Sequence, residues 1–191
     1  NSKYKYIFLK KFCFISIGRL TRQKNFSELL MAFVKLREKL GSKYFNKNIN
    51  LLILGSGEDE KNLKKYIFKN ELNNIHFLGF QNNPFNFLKS SNFYISTSLW
   101  EDPGHTLIEA ASLKIPIISS DCPSGPREFF NSNNSFVYKS GNVDMLTEIL
   151  LNLTSEENYN SLNLNSKIEN AQKLSSKFSK KEYYLSLKDH L

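Results

Sequence analysis

The chain has 191 residues, 40% of them hydrophobic and 14% aromatic, and a formal net charge of +8. This length and apolar content allow one sizeable hydrophobic core and exclude a disordered chain. No apolar run approaches the ~18 residues of a membrane-spanning helix, and the first residues lack the small-residue cleavage site of a signal peptide, so a compact cytoplasmic domain is expected.

The positive charge is concentrated near the start of the chain, where residues 1–27 contain seven Lys or Arg and no Asp or Glu. Such a charge suits an anionic partner, but nucleic acid is disfavoured because no recognised nucleic-acid-binding module accompanies it. The basic segment leaves peripheral contact with the inner face of a membrane open, although no strongly amphipathic helix is evident there. Cys13 and Cys122 lack metal-ligand spacing and are expected to be unpaired thiols.

Short apolar runs alternate along the chain with stretches of helical period. The pattern indicates an α/β fold, with a Rossmann-like parallel sheet of about six strands and helices on both faces. Strands are predicted at 12–17, 50–54, 75–78, 93–97, 115–119 and 136–138. Helices are predicted over 58–70 and 143–153, and others begin near Pro84 and Gly104. We divide the chain into a linker remnant (1–11), a Rossmann-like domain (12–155) and a polar helical tail (156–191).

The first helix has the clearest boundaries. Asn25, with Glu28 three residues later, has the pattern of a capping box. An apolar stripe follows, made of Leu29, Ala32, Phe33, Leu36 and Leu40, and Gly41 predicts the end of the helix. The stripe is expected to pack in the core.

In an open parallel sheet, ligands bind where the loops at the carboxyl ends of the strands converge. The loop after the first strand carries Gly18, Arg19 and Lys24, and Lys24 lies at the entrance of the first helix. A cation is unfavourable beside the positive end of a helix dipole unless an anion lies between them. The loop therefore indicates either an anion site or a solvated basic surface.

Three other loops give weaker signals. The loop over 55–57 is similar to a dinucleotide fingerprint, but its third glycine is missing and three acids follow, which disfavours a pyrophosphate site there. The loop at Phe80 either contacts a nucleobase or is only a turn before the helix at Pro84. The loop over 120–128, rich in Pro and Ser, is equally consistent with a structural turn and with lining a pocket.

The most informative loop contains two glutamates. Pro103 disfavours helix at the preceding residue, so Glu101 is expected in the loop and Glu109 on the helix that follows. Free N–H groups at the start of that helix form an expected anion site, and they belong to Gly104, His105 and Thr106. Nothing holds the carboxylates at the ~5–9.5 Å separation of a hydrolytic pair. Because a carboxylate accepts well from vicinal sugar hydroxyls, two ligand clamps are favoured over an acid/base pair.

In chain order, these loops resemble the C-terminal, donor-binding domain of a retaining family 4 glycosyltransferase of the two-domain GT-B fold. The resemblance is carried by GRLTRQKN (18–25), LLILGSGE (51–58), IHFLGF (75–80) and STSLWEDPGHTLIEAASLKIPIISSD (96–121), the last of which contains the Glu-x7-Glu motif. Matching stretches run in order over residues 12–153. Pro103 stands where the family usually has Phe, and this departure concerns the shape of the sugar pocket.

The resemblance implies a role for each matched residue. Arg19 and Lys24 would hold the donor diphosphate, and Glu101 would approach the hydroxyls of the donor sugar, so these three are the expected catalytic residues. Glu109 would grip the ribose hydroxyls. The other implied donor contacts are Gly18, the backbone around Phe80 at the base, and the amides of Gly104, His105 and Thr106 at the phosphates.

The implied function is retaining transfer of a sugar from a UDP- or GDP-linked donor to a glycan or lipid-linked acceptor, in the biosynthesis of bacterial surface polysaccharide such as capsule or lipopolysaccharide. No metal or other cofactor is implied, and the chain has no Asp-x-Asp motif or metal-ligand cluster. An N-terminal domain would bind the acceptor and contact the helical tail, so the chain alone is expected to transfer sugar poorly. Two alternatives are a non-catalytic nucleotide-binding module and a nucleotide-sugar epimerase or hydrolase of the same architecture.

Overall fold

A computed structural model describes residue 8, residues 10–155 and residues 163–178. Its strands form one parallel sheet in the order β3-β2-β1-β4-β5-β6. The strands are β1 Phe12–Ile17, β2 Ile49–Leu54, β3 Ile75–Gly79, β4 Phe93–Ser96, β5 Ile117–Ser120 and β6 Phe136–Tyr138. The predicted six-stranded Rossmann-like sheet is therefore confirmed.

The strands β1 and β6 have the predicted bounds, and the ends of the other strands differ from the sequence prediction by one or two residues. The largest shift is in β5, which begins at Ile117 and not at Ile115. Pro116 has no N–H to donate to a neighbouring strand, so it stays outside the ladder. Its carbonyl still accepts from the Tyr94 N–H at 2.9 Å.

Helices cover both faces of the sheet. They are α1 Phe26–Leu40, α2 Ser42–Asn48, α3 Glu60–Lys69, α4 Phe85–Lys89, α5 His105–Ser112, α6 Pro126–Phe129, α7 Val143–Thr154 and α8 Leu164–Ser176. On one face α1, α3 and α7 enclose a core with Phe14 and Leu146. On the other face α4, α5 and α8 enclose a core with Ile15, Leu107 and Ala171. Successive residues of a strand point to opposite faces, so Phe14 and Ile15 of β1 enter different cores.

The strand order reverses between β1 and β4. From β1 the chain adds β2 and β3 on one side, and it then returns to add β4, β5 and β6 on the other. Because every pairing is parallel, the carboxyl ends of all strands share one edge. The helices that follow β1 and β4 lie on opposite faces of the sheet, so a crevice opens at this edge, which is where ligands bind in folds of this kind.

The start of α1 differs from its prediction. Gly41 ends the helix as expected, but Asn25 and Glu28 do not form a capping box. Asn25 has a φ of 49°, in the left-handed region, because it also ends a 3₁₀ turn over Arg22–Lys24. A capping side chain reaches the helix N–H groups from extended backbone. The buried Glu28 carboxylate instead accepts from Asn25 Nδ2 at 2.5 Å and from the Gly141 N–H at 3.2 Å.

The predicted helical tail is described only in part. Within it, α8 packs against α5, and residues 156–162 and 179–191 lie outside the described residues, as does most of the predicted linker remnant over 1–11. Contact of the tail with a second domain stays a prediction. No helix within residues 10–155 and 163–178 is long and apolar enough to cross a membrane. Cys13 and Cys122 are free and buried, as expected of unpaired thiols.

Candidate functional site

The loops that follow β1 and β4 meet at an ion pair. Lys24, at the end of the 3₁₀ turn, pairs with Oε1 of Glu101. Glu101 is only 6% exposed although it lies in a loop. The same Oε1 accepts from the Ser98 hydroxyl at 2.5 Å. Because a buried carboxylate is costly without partners, the Lys24 charge and the Ser98 hydroxyl stabilise Glu101 in this position.

Backbone contacts tie the same two loops together. The Thr97 hydroxyl donates to the carbonyl of Lys24 at 2.9 Å and to that of Asn25 at 3.1 Å. The Leu99 N–H donates to the carbonyl of Gln23 at 2.8 Å. The end of β4 therefore positions the backbone that carries Lys24.

Helix α5 begins in the crevice with a glycine. Gly104 has a φ of 87°, and a Cβ added to it would lie 3.2 Å from Leu107 Cδ1. Both its backbone conformation and its surroundings therefore favour glycine. The N–H groups of His105 and Thr106 follow, and the first N–H groups of a helix have no acceptor within it. Such a helix start attracts anions.

The hydroxyl of Tyr94 lies beneath the start of α5. It is buried and donates to Thr106 Oγ1 at 2.7 Å. Burial raises the pKa of Tyr94, and the charges of Glu101 and Glu109 raise it further. Both glutamates therefore lie close enough to this hydroxyl to act on it electrostatically.

Glu109 lies one turn into α5 and is half-buried. Burial raises the pKa of its carboxyl, and the neighbouring His105 lowers it. Its side chain lines a groove of about 590 Å³ between α5 and α8, together with Lys173 and Phe178. The two glutamates thus have different surroundings, because Glu101 is enclosed between loops and Glu109 faces a helix groove.

A separate pocket of about 610 Å³ lies at the carboxyl ends of β1, β2 and β3. Its lining includes Gly18, Arg19, Gly55, Gly57, Phe80 and Gln81. The loop over 55–57, disfavoured as a pyrophosphate site from the sequence, contributes to this pocket through close backbone approach. A Cβ added to Gly55 would lie 1.9 Å from the Gly18 carbonyl oxygen, which only glycine permits.

The loop after β5 supports the loop that carries Glu101. The Pro123 carbonyl accepts from the Glu101 N–H at 3.4 Å. Gly125 lies against Pro103, since a Cβ added to it would be 2.2 Å from the Pro103 carbonyl oxygen. The Asp102–Pro103 peptide is cis. These contacts give the loop a structural role, and its lining of a pocket stays a prediction.

The predicted site residues fall into three groups, and the side chain of Glu109 lines the separate groove between α5 and α8. Lys24 pairs with Glu101; Gly18, Arg19 and Phe80 line the pocket beside β1; and Gly104, His105, Thr106 and Glu109 belong to the start of α5. The sequence-based interpretation missed Ser98, Tyr94 and Gln81, whose contacts join segments distant in the chain or depend on the turn geometry. The one available signal was a polar amide directly after Phe80.

The crevice contains groups that can donate to a polyanion, one of which, Lys24, already pairs with Glu101. Two side-chain cations, Arg19 and Lys24, come from the β1 loop, and the positive end of α5 lies at the neighbouring strand. Hydrogen bonds from Arg and Lys to phosphate are charge-assisted and therefore stronger than hydrogen bonds between neutral groups. In the described part of the chain, no cluster of three or more His, Cys, Asp or Glu side chains is placed to hold a metal ion.

The strand order and the crevice at its reversal define an α/β domain of the Rossmann type. The family model for glycosyl transferases group 1 matches residues 2–174. The chain therefore belongs to the glycosyl transferases group 1 family.

Its relatives include proteins of polysaccharide biosynthesis. An uncharacterized glycosyltransferase of Methanocaldococcus jannaschii is 47% identical over 129 residues, which are 67% of this chain and 30% of that protein. The capsular polysaccharide biosynthesis glycosyltransferase CapM of Staphylococcus aureus is 24% identical over 159 residues, covering 82% of this chain and 40% of that one. This chain thus spans less than half of either protein.

A solved structure shows the same fold. The crystal structure of Anabaena Alr3699/HepE in complex with UDP superposes with a TM-score of 0.77 at 18% identity, covering 92% of this chain and 47% of that chain. The Rossmann-like sheet described above is therefore the one found in GT-B glycosyltransferases.

Proposed function

We propose that this chain is the donor-binding half of a retaining glycosyltransferase. It takes a sugar from a UDP- or GDP-linked donor and passes it to a glycan or lipid-linked acceptor in bacterial surface polysaccharide biosynthesis. The observation that carries the proposal is the junction of Lys24, buried Glu101 and the start of α5 at the strand-order reversal. UDP in the HepE complex and the biosynthetic role in the name of CapM agree with it.

The donor diphosphate lies between the β1 loop and α5. Arg19 offers a planar fork of donors to phosphate oxygens, and Lys24 offers a mobile point charge. The N–H groups of His105 and Thr106 donate from the other side. When the bond to the sugar breaks, negative charge grows on the departing diphosphate, and these groups stabilise it without a metal ion.

When a diphosphate binds, the Lys24 ammonium divides its hydrogen bonds between Glu101 and the phosphate. In the present structure its ammonium pairs with Glu101, and a doubly charged phosphate beside it competes for the same donors. Ser98 remains on Glu101 Oε1. The other oxygen, Oε2, then accepts from a hydroxyl of the donor sugar, while Glu109 accepts from the ribose hydroxyls.

The first test is a calorimetric titration of the chain with UDP. Arg19→Ala and Lys24→Ala each remove a charged donor to phosphate, and such hydrogen bonds contribute about 1.5–3 kcal/mol. We expect each variant to bind UDP at least about tenfold more weakly. Lys35→Ala is the matched control, because Lys35 is a partly exposed lysine that pairs with Asp144 away from the crevice. Unchanged affinity in both site variants would remove Arg19 and Lys24 from the site.

A further inference from the structure

We propose that Gln81 selects the base of the donor nucleotide. In this assignment Gln81 Oε1 accepts a hydrogen bond from a ring N–H of the base, so the pocket favours uracil or guanine over cytosine or adenine. The inference rests on the proposed function, because it concerns the nucleotide that the donor site binds.

Gln81 is placed where a base would lie. It lines the pocket of about 610 Å³ together with Arg19, so a nucleotide whose phosphates reach Arg19 extends its base along this wall. Phe80, beside Gln81, is 74% exposed and lines the same pocket. An exposed aromatic ring offers an apolar face to a base and does not discriminate one base from another.

The amide of Gln81 is held in one orientation. Its Nε2 donates to the Leu78 carbonyl at 2.6 Å. A carbonyl only accepts, so the amide oxygen cannot take the place of Nε2 there. Oε1 is thereby left to accept from a ligand in the pocket that Gln81 lines.

Other polar groups around the pocket discriminate less. The N–H groups of Gly18 and Gly55 already donate to the carbonyls of Leu54 and Gly79, at 3.0 and 2.8 Å. Arg19 only donates. The Ser56 hydroxyl both donates and accepts and rotates to suit its partner. The fixed amide oxygen of Gln81 is different, because it forms a hydrogen bond with a donor and repels an acceptor.

The bases differ in whether they present a donor or an acceptor to Oε1, and this difference gives the site its specificity. Uracil and guanine carry a ring N–H on the edge where cytosine and adenine carry a lone pair. A lone pair facing Oε1 leaves two acceptors unpaired and partly desolvated, whereas a ring N–H donates to Oε1 and pairs both groups. Sites built to bind one hydrogen-bonding group reject analogues that lack it.

The test compares UDP, GDP, CDP and pyrophosphate by calorimetry with the wild-type chain and with Gln81→Leu and Gln81→Met. We expect the wild type to bind UDP at least about tenfold more tightly than CDP. Both variants should lose most of this preference through weaker UDP binding. Their affinity for pyrophosphate should be unchanged, which also shows that they fold. Asn82→Leu, at the exposed neighbouring amide, is the matched control and should keep the preference.

The results that would contradict the role of Gln81 differ from those that would contradict the proposed function. Equal binding of UDP and CDP by the wild type, or equal losses for both nucleotides in Gln81→Leu, overturns the role of Gln81 and leaves the donor site in place. Failure of the wild type to bind any of UDP, GDP or pyrophosphate overturns the proposed function itself.

Discussion

Gly57 determines how closely the β2–α3 loop approaches the β1–α1 loop. A Cβ added to it would lie 2.3 Å from the Leu20 carbonyl oxygen and 2.7 Å from the Leu20 backbone nitrogen. Backbone atoms cannot turn aside as a flexible side chain can. The closeness of these loops is what brings Gly18 and Arg19 to the same pocket as Phe80.

Gly57→Ala should therefore separate the two loops. Overpacking of this kind costs about 1–3 kcal/mol, and we expect both a lower free energy of unfolding in urea and weaker UDP binding. Asn62→Ala, exposed on the helix that follows this loop, should change neither quantity appreciably. Wild-type stability and affinity in Gly57→Ala would show that the loops have room to move apart.

The burial of Glu101 depends on its side-chain partners and not on a close backbone approach. Its position after β4 follows from the sequence, but its burial comes from Lys24 and Ser98, which approach from two directions. A carboxylate in a loop is ordinarily solvated. The residue type was therefore predictable, and its environment was not.

At the scale of elements, Glu28 connects the start of α1 to the loop before α7. Its carboxylate accepts from Asn25 Nδ2 and from the Gly141 N–H. Burial raises its pKa above the ordinary 4.5, an effect that Tyr138 and Gly141 partly offset. The Asn25 carbonyl accepts from the Thr97 hydroxyl, so the contact of Glu28 with Asn25 connects Glu28 to the backbone next to Lys24.

The raised pKa of Glu28 predicts a pH dependence of stability. The folded state binds the proton more tightly than the unfolded state, so the stabilisation from this group is present below the unfolded pKa and is lost as pH rises through the folded pKa. In Glu28→Gln the side chain is always neutral. The free energy of unfolding of the wild type, minus that of Glu28→Gln, should fall as pH rises from 4.5 towards neutrality. The fall should be about 1.4 kcal/mol for each pH unit of the shift.

Urea unfolding at several pH values measures this difference. Glu38→Gln is the control, because Glu38 is exposed on the same helix, and its difference from wild type should stay flat over the same range. A flat difference for Glu28→Gln would mean that the folded state does not raise the pKa of this carboxyl.

For the whole molecule, the reversal of strand order is the decisive feature. It places the loops after β1 and β4 side by side, although 77 residues separate Lys24 from Glu101. In the proposed function, both cations of the β1 loop and the start of α5 then bind the same donor diphosphate. The two packed faces of the sheet make this framework rigid, since interiors are close-packed.

The chain spans 30% of its M. jannaschii relative and 40% of CapM. We therefore expect it to bind UDP but to transfer sugar poorly by itself, since the acceptor site belongs to a second domain in our proposal. Release of UDP from a UDP-sugar in the presence of a glycan acceptor measures transfer. Turnover in the range of ~1–10³ s⁻¹ typical of enzymes would contradict the placement of the acceptor site in a second domain.

The local pattern of the sequence determined the parallel sheet, the helices and the loops that carry Arg19, Lys24 and the two glutamates. These features depend on periodicity and on residues a few positions apart, which the chain displays directly. The capping-box prediction was wrong because Asn25 both ends the 3₁₀ turn and precedes α1, so its backbone is in the left-handed region.

Only the tertiary structure decided which side chains meet. The pairing of Lys24 with Glu101, the contact of Gly125 with Pro103 and the orientation of the Gln81 amide arise from packing between segments or from turn geometry. Hydrogen bonds and charges act over a few ångströms in space, whatever the distance along the chain. For that reason the residue types of the site could be predicted, whereas their partners, burial and orientation could not.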